Sequence, residues 1–162
     1  TYRLGKSLGG VVKMLKYQQE FLDTFKKDVG DLLQKDYEEI EHNKELRNLD
    51  PDWDIYSILE TQGSLMIFTC RDDLTLVGYF VVVTTPDLHS KGSVLAVADV
   101  IFLDKEYRVG LTGYKLFKFA EDCVRKDGFK SLHVTTTEMN PIDPLMSRLG
   151  YSKIETKYEK VL

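Results

Sequence analysis

The chain has 162 residues, a formal net charge of −4 at pH 7, 43% hydrophobic residues and 30% charged residues. These values are typical of a soluble globular protein, and the length predicts one domain over residues 1–162. No apolar run approaches the ~20 residues that cross a bilayer, and the N-terminal segment lacks the apolar core and cleavage site of a secretory signal. We therefore expect a cytoplasmic protein without a membrane partner.

Acidic residues concentrate in one part of the chain. From Asp31 to Glu60 there are ten acidic and three basic residues, a local balance of −7. Binding to nucleic acid needs clustered Lys and Arg, so we expect no nucleic-acid partner. A cationic amine would suit this segment, although acidic runs on helices are also common as solvated faces.

Cysteine and histidine indicate no metal site. Cys70 and Cys123 fall in strand-like and helix-like segments and are expected to be reduced thiols in the core. His42, His89 and His133 are far apart in sequence, and none has the spacing of a metal-ligand motif.

Two helices are predicted before the first strand. Apolar residues recur at spacings of three and four from Tyr17 to Ile40, which indicates an amphipathic helix, with Gly30 as a candidate interruption or end of its first half. A second helix is predicted to start at Pro51, with Asp50 as its N-cap.

The remainder predicts a sheet with further helices. LMIFTC (65–70) and LTLVGYFVVVTT (74–85) form a predicted hairpin, and VLAVADVIFL (94–103) forms the next strand. A helix over 114–126 then leads by a right-handed crossover to a parallel strand in SLHVTTT. A short helix opens at Asn140–Pro144, and the tail YSKIETKYEKVL alternates like a closing strand or hairpin. The predicted fold class is α/β, a mixed sheet with helices on both faces.

The segment DKEYRVGLTG joins the apolar strand to the next helix. Such a strand, turn and helix offers unpaired backbone N–H groups to a phosphate. Gly110 and Gly113 permit close approach of the backbone, and Arg108 adds a guanidinium. The spacing fits neither GxxxxGK[ST] nor GxGxxG, so we predict a pyrophosphate-bearing ligand without one of these nucleotide motifs.

These residues resemble the GNAT superfamily of acetyl-CoA-dependent N-acetyltransferases, whose turn reads [QR]-x-x-G-x-[GA]. RVGLTG (108–113) matches the first and last positions, whereas Leu111 stands where the first glycine is expected and Gly110 comes one residue early. MSRLGY (146–151) resembles the family's LGY segment. The resemblance covers Leu74 to Leu162, and RVGLTG is also similar to GNAT-like proteins of bacteriophages.

The resemblance implies splayed parallel central strands and acetyl-CoA as the co-substrate. The backbone of the central strand would hold the pantetheine and the thioester carbonyl, and the turn would hold the pyrophosphate. The implied cofactor-binding residues are Ile101, Phe102, Leu103, Arg108, Val109, Gly110, Leu111, Thr112 and Gly113.

Asp99 is the candidate general base. It is the one charged residue inside VLAVADVIFL, and a carboxylate on a buried strand is costly unless it is paired or functional. Many members of the resembling family carry a Glu near this position. The alternatives are an Asp that accepts backbone hydrogen bonds or lies at a strand bulge, and Glu106 as a second candidate base.

The sequence offers two candidates for the general acid. The family often carries a Tyr four residues before the glycine of LGY, where this chain has Met146, which cannot donate a proton. Tyr151 and Ser147 are the candidate acids, although an aromatic residue at 151 also suits the core. Alternatively, solvent protonates the leaving thiolate.

We therefore predict an N-acetyltransferase that moves an acetyl group from acetyl-CoA to a primary amine of a small molecule or a protein. The alternative is a non-catalytic GNAT-like module that binds CoA or a protein partner, which Leu111 and Met146 favour. The sequence leaves the acceptor and the oligomeric state open.

Overall fold

The computed structural model describes residues 14–41, 43–139 and 141–162. Residues 1–13, His42 and Asn140 lie outside the described residues, and so do the parts of the predictions that concern them. In the described part of the chain, no helix is long and apolar enough to span a membrane. The same residues contain no group of three or more His, Cys, Asp or Glu side chains placed to hold a metal ion.

Five strands of the described residues form one sheet in the order β1-β2-β3-β4-β5. All neighbours are antiparallel except β4 and β5, which are parallel, so the predicted mixed sheet is confirmed. The strands are β1 (Leu15–Glu20), β2 (Leu65–Asp72), β3 (Thr75–Pro86), β4 (Val94–Leu103) and β5 (Leu132–Val134). The helices are α1 (Leu22–Asp28), α2 (Gly30–Ile40), α3 (Trp53–Thr61), α4 (Thr112–Lys126) and α5 (Asp143–Leu149), with a 3₁₀ turn over Lys105–Tyr107.

Helices cover both faces of the sheet, as predicted. On one face α4 and α5 pack over a cluster that includes Phe68 and Phe80. On the other face α1, α2 and α3 pack over a cluster centred on Tyr79 and Phe102. Burial of these two apolar faces provides the main driving force for the layered arrangement.

The helix predicted from Tyr17 to Ile40 is wrong at its start, whereas an interruption next to Gly30 is confirmed. Residues 15–20 form β1, which pairs antiparallel with β2, and two helices follow with Val29 between them. Leu15 and Tyr17 alternate along β1 and pack against the core on the α4 side. The N-cap of the next helix is Asp52 rather than Asp50, because the Asp52 side chain accepts a hydrogen bond from the Ile55 N–H at 3.0 Å.

The C-terminal part also departs from the prediction. The strand expected in SLHVTTT is only Leu132–Val134, and the closing strand or hairpin expected over 151–162 does not form. Ile154 and Tyr158 are 70% and 89% exposed, so the alternating side chains of the tail have no face to pack against. The tail instead reaches the segment after α2, where Glu159 accepts a hydrogen bond from Asn43 Nδ2 at 2.7 Å and pairs with Arg47.

A bulge interrupts β4. Val100 is opposite Val81 and Ala98 is opposite Val82, so Asp99 is an extra residue without a partner on β3. Ala98 faces the α4 side of the sheet, whereas Val100 faces the α1–α3 side. One inserted residue thus reverses which side chains of β4 face each layer.

Candidate active site

An opening separates the two parallel strands beyond the bulge. β4 and β5 pair only over Ala96–Leu132, Val97–His133 and Ala98–Val134. β4 then continues to Leu103 without a paired strand on this edge in the described sheet. Apart from the Leu103 carbonyl, which accepts a hydrogen bond from Arg108 Nε, backbone groups of residues 99–103 that point to this edge are therefore available to a ligand. Ile101, Phe102 and Leu103, the predicted pantetheine-binding residues, lie on this part of β4.

The turn before α4 presents several unpaired N–H groups. Gly110 has φ = +59°, and α4 starts at Thr112, whose N–H and hydroxyl both donate to the Val109 carbonyl, at 3.3 and 3.0 Å. Within the described residues, no protein acceptor is present for the N–H groups of residues 109, 110, 111, 113 and 114. A cluster of this kind at a helix start suits an anion such as a phosphate.

The two glycines of the turn have different roles. The left-handed conformation occurs at Gly110, whereas Leu111 has φ = −111°, which any residue adopts. Gly113 has an ordinary conformation, and a Cβ built there would lie 3.8 Å from Leu103 Cδ2 and 3.9 Å from Leu145 Cδ2. The packing of the protein therefore does not require a glycine at 113, and close approach by a ligand would explain one.

Arg108 braces the turn against α2. Its Nε donates to the Leu103 carbonyl at 2.7 Å, and its two terminal nitrogens donate to the Glu39 carboxylate at 2.5 and 3.0 Å. These hydrogen bonds hold the pKa of Glu39 below its ordinary value. Because the Glu39 carboxylate already neutralises its charge, Arg108 attracts a phosphate less strongly than the sequence predicts.

Asp99 is exposed at the bulge, which differs from the expected buried carboxylate. Asp99 is therefore not the costly buried carboxylate that the sequence predicts, and the alternative of a strand bulge describes its position. Its Oδ2 accepts a hydrogen bond from the Tyr56 hydroxyl at 2.8 Å. Burial, and then the Asp99 charge, raise the pKa of Tyr56, so Tyr56 acts as a donor that orients the carboxylate. Solvent access allows Asp99 to pass a proton to water.

Tyr151 packs against α4, which covers the face of the sheet opposite to α3. Its ring packs edge-on against Phe117 of α4 with centroids 6.5 Å apart. Its buried hydroxyl lacks a well-formed hydrogen bond to any described residue, as does Glu121 Oε1. Burial, and then the Glu121 charge, raise the pKa of Tyr151, which makes it a weaker acid. The structure therefore does not bring Tyr151 together with Asp99, whose partner Tyr56 is on α3.

The other residues weighed for proton transfer lie on α5 and in the 3₁₀ turn. Met146 is half-buried in α5 against the core of the α4 side. Ser147 is exposed on the same helix. Glu106 is exposed in the 3₁₀ turn, where its N–H donates to Asp104 Oδ1 at 3.2 Å.

A pocket of about 310 Å³ lies on the α1–α3 side of the sheet, and Tyr56, the hydrogen-bond partner of Asp99, is one of the residues that line it. Tyr56 and Val100 line it near the bulge, and Asp36 lines it from α2. Asp36 is only 3% exposed, and its Oδ2 accepts a hydrogen bond from the Tyr79 hydroxyl at 2.6 Å. Its Oδ1 has no partner among the described residues, and burial raises the pKa of the carboxyl to about 6.

Sequence reasoning missed Asp36 because it counted this residue as one of ten acids on a solvated face. The spacing could have revealed it. Position 36 follows Val29, Leu32 and Leu33 at the interval of an apolar helix stripe. An acid on that stripe points to the interior rather than to water.

Several acids of the same segment have structural partners. Besides Glu39, Glu41 pairs with Arg47, and Glu60 accepts a hydrogen bond from the Leu22 N–H at 2.6 Å. Lys35 also pairs with Asp104, which ties α2 to the end of β4. Part of the acidic excess of −7 is therefore neutralised or hydrogen-bonded within the fold.

Comparison with known proteins identifies the fold. No family model and no curated protein match the chain. A GCN5-related N-acetyltransferase from Ralstonia eutropha matches with a TM-score of 0.72 at 15% sequence identity, over 91% of this chain and 98% of that one. A predicted acetyltransferase with acetyl-CoA from Clostridium acetobutylicum has a TM-score of 0.69 at 10% identity, over 91% and 96%.

A third solved structure is an aminoglycoside acetyltransferase from an uncultured soil metagenomic sample, in complex with sisomicin. It matches with a TM-score of 0.66 at 17% identity, over 91% of this chain and 96% of that one. The chain therefore has the fold of the GNAT acetyltransferases.

Proposed function

We propose that this chain is an N-acetyltransferase that transfers the acetyl group of acetyl-CoA to a primary amine. The observation that carries the proposal is the opening between β4 and β5 next to the turn before α4. An open strand edge and a group of free N–H groups together suit a long ligand with a pyrophosphate. The similarity of the fold to acetyltransferases supports the same reading.

Acetyl-CoA would bind largely through the backbone. Residues 109–113 would hold the pyrophosphate, with Gly113 giving room over the first turn of α4. Ile101, Phe102 and Leu103 would hold the pantetheine and the thioester carbonyl along the open edge. Arg108 would act indirectly, by fixing the turn to α2 through Glu39.

The acceptor amine would enter from the pocket beside Asp99. Its nitrogen attacks the thioester carbonyl carbon, a C–N bond forms, and the C–S bond breaks to release the thiolate of CoA. Asp99, oriented by Tyr56, accepts the proton that the amine loses and passes it to water. Solvent protonates the thiolate, because Met146 cannot donate a proton and the hydroxyl of Tyr151 is buried against α4.

A primary amine is the proposed acceptor class, on a small molecule or a protein. One of the similar structures is an aminoglycoside acetyltransferase, which is consistent with this class. The likeness of RVGLTG to bacteriophage proteins stays a prediction, as do a single domain over 1–162 and a cytoplasmic location.

The alternative is a non-catalytic module that binds CoA or a protein partner. Met146 and the raised pKa of the buried Tyr151 favour it, because neither residue supplies an acid at the open edge. Calorimetric titration with acetyl-CoA, followed by a thiol-release assay over a panel of amines, separates the two. Binding with amine-dependent thiol release supports the enzyme, and binding without release supports the module.

The base is tested by Asp99→Asn, with Glu106→Gln as the matched control. We expect about 100-fold lower turnover for Asp99→Asn with little change in acetyl-CoA affinity, and near-normal turnover for Glu106→Gln. Undiminished turnover of Asp99→Asn at neutral pH would show that the base is elsewhere.

A further inference from the structure

The pocket that Tyr56 connects to Asp99 combines an apolar wall with one buried carboxyl and with polar residues that include the ion pair of Arg47 and Glu41. Phe25, Trp53 and Val81 contribute to the wall, and Tyr56 and Val100 lie at the end near the bulge. The volume of about 310 Å³ is at the lower end for small-molecule sites, so the pocket suits a compact ligand.

Asp36 is an incompletely satisfied acid in this wall. It receives one hydrogen bond, from Tyr79, and its Oδ1 has no donor in the described structure. Arg108 makes no hydrogen bond to it, because that guanidinium pairs with Glu39, and the Arg108 charge is the smallest of the influences on the pKa of Asp36. A buried carboxylate without a second donor is costly, so a ligand that supplies both a donor and a positive charge would be bound favourably.

A cation held by Asp36 is a poor nucleophile. An adjacent carboxylate favours the charged form of an amine, whereas attack on a thioester needs the neutral form. The group at Asp36 must therefore differ from the amine that reacts. The reacting amine belongs beside Asp99, where the Tyr56 hydroxyl donates to Asp99 Oδ2 at 2.8 Å.

We propose that the acceptor is a small molecule with two basic groups, whose unreacted ammonium is held by Asp36 while its second amine lies at Asp99. This inference rests on the proposed acetyl transfer for the reactive end. The apolar wall between the two ends would contact the hydrocarbon that connects the two groups.

The test compares α,ω-diaminoalkanes of three to six carbons with n-alkylamines of the same lengths, at saturating acetyl-CoA. An apolar pocket without a carboxylate would favour the alkylamines, so a preference for diamines is diagnostic. We expect kcat/KM to favour the best diamine by about tenfold or more in the unchanged protein. In Asp36→Asn this ratio should fall to near one, and in Asp31→Asn, an exposed position on the same helix, it should persist.

Equal use of both amine series, or a diamine preference that survives Asp36→Asn, overturns the inference and leaves acetyl transfer intact. If neither series is acetylated, calorimetry measures whether the same diamines bind to the protein without reacting. Binding that Asp36→Asn abolishes supports the role of Asp36 while the proposed transfer fails. No binding of any diamine overturns the role of Asp36.

Discussion

Replacement of Asp36 by Asn should stabilise the protein, and only above a defined pH. Burial raises the pKa of Asp36 from 3.8 to about 6. Between these values the folded protein holds a proton that the unfolded chain has released, so its stability falls as the pH rises. Above about 6 the loss is complete. A shift of about two units corresponds to about 3 kcal/mol in the free energy of unfolding.

Asn at position 36 does not titrate, so this pH dependence should disappear. Urea denaturation of both proteins from pH 4 to pH 8 measures it. The stability difference in favour of Asp36→Asn should grow by about 3 kcal/mol between pH 4 and pH 6 and then stay level. The charged and titratable groups that act on Asp36 are Tyr79, Glu39 and Arg108, and the substitution leaves all of them in place.

A matched control keeps this test specific. Asp31→Asn removes an exposed carboxylate from the same helix and should not reproduce the slope. A stability difference for Asp36→Asn that is the same at every pH would refute the reasoning, because it would show that Asp36 does not titrate differently in the folded and unfolded states.

Three further predictions concern the turn before α4. Gly113→Val should lower acetyl-CoA affinity at least tenfold, about 1.4 kcal/mol, with the fold retained, and unchanged affinity by calorimetry would remove the turn from the site. Glu39→Gln should weaken acetyl-CoA binding severalfold, because Arg108 then no longer holds the turn to α2. The exchanged pair Glu39→Arg with Arg108→Glu should recover part of the lost affinity. Equal affinities in all three proteins would show that the contact between residues 39 and 108 is irrelevant to binding. Gly110→Ala should cost about 1 kcal/mol of stability because φ is +59°, and a variant as stable as the parent in urea would contradict the left-handed conformation.

Local patterns predicted the centre of the fold well. β4 has the predicted bounds, because a ten-residue apolar run with one charge leaves few alternatives. β1 was missed because its alternation is short and merges with helical spacing, and because its partner β2 lies about fifty residues away. The tail was misjudged for the converse reason, since its alternation finds no strand beside it.

The candidate site also has parts that the sequence predicts and parts that it does not. The turn was predictable because its glycines and its place between strand and helix are local features. The partner of Arg108 was not, since Glu39 is 69 residues away in sequence. Asp36 was hidden among surface acids, because its burial depends on Tyr79 and on the packing of α2 against the sheet.

The crystal structure of the complex with acetyl-CoA tests the central claim most directly. We expect the pyrophosphate within hydrogen-bonding distance of the free N–H groups of residues 109–111 and 113, the pantetheine along the open edge of β4, and the thioester beside Asp99. Acetyl-CoA bound elsewhere, with the space between β4 and β5 unfilled, would contradict it.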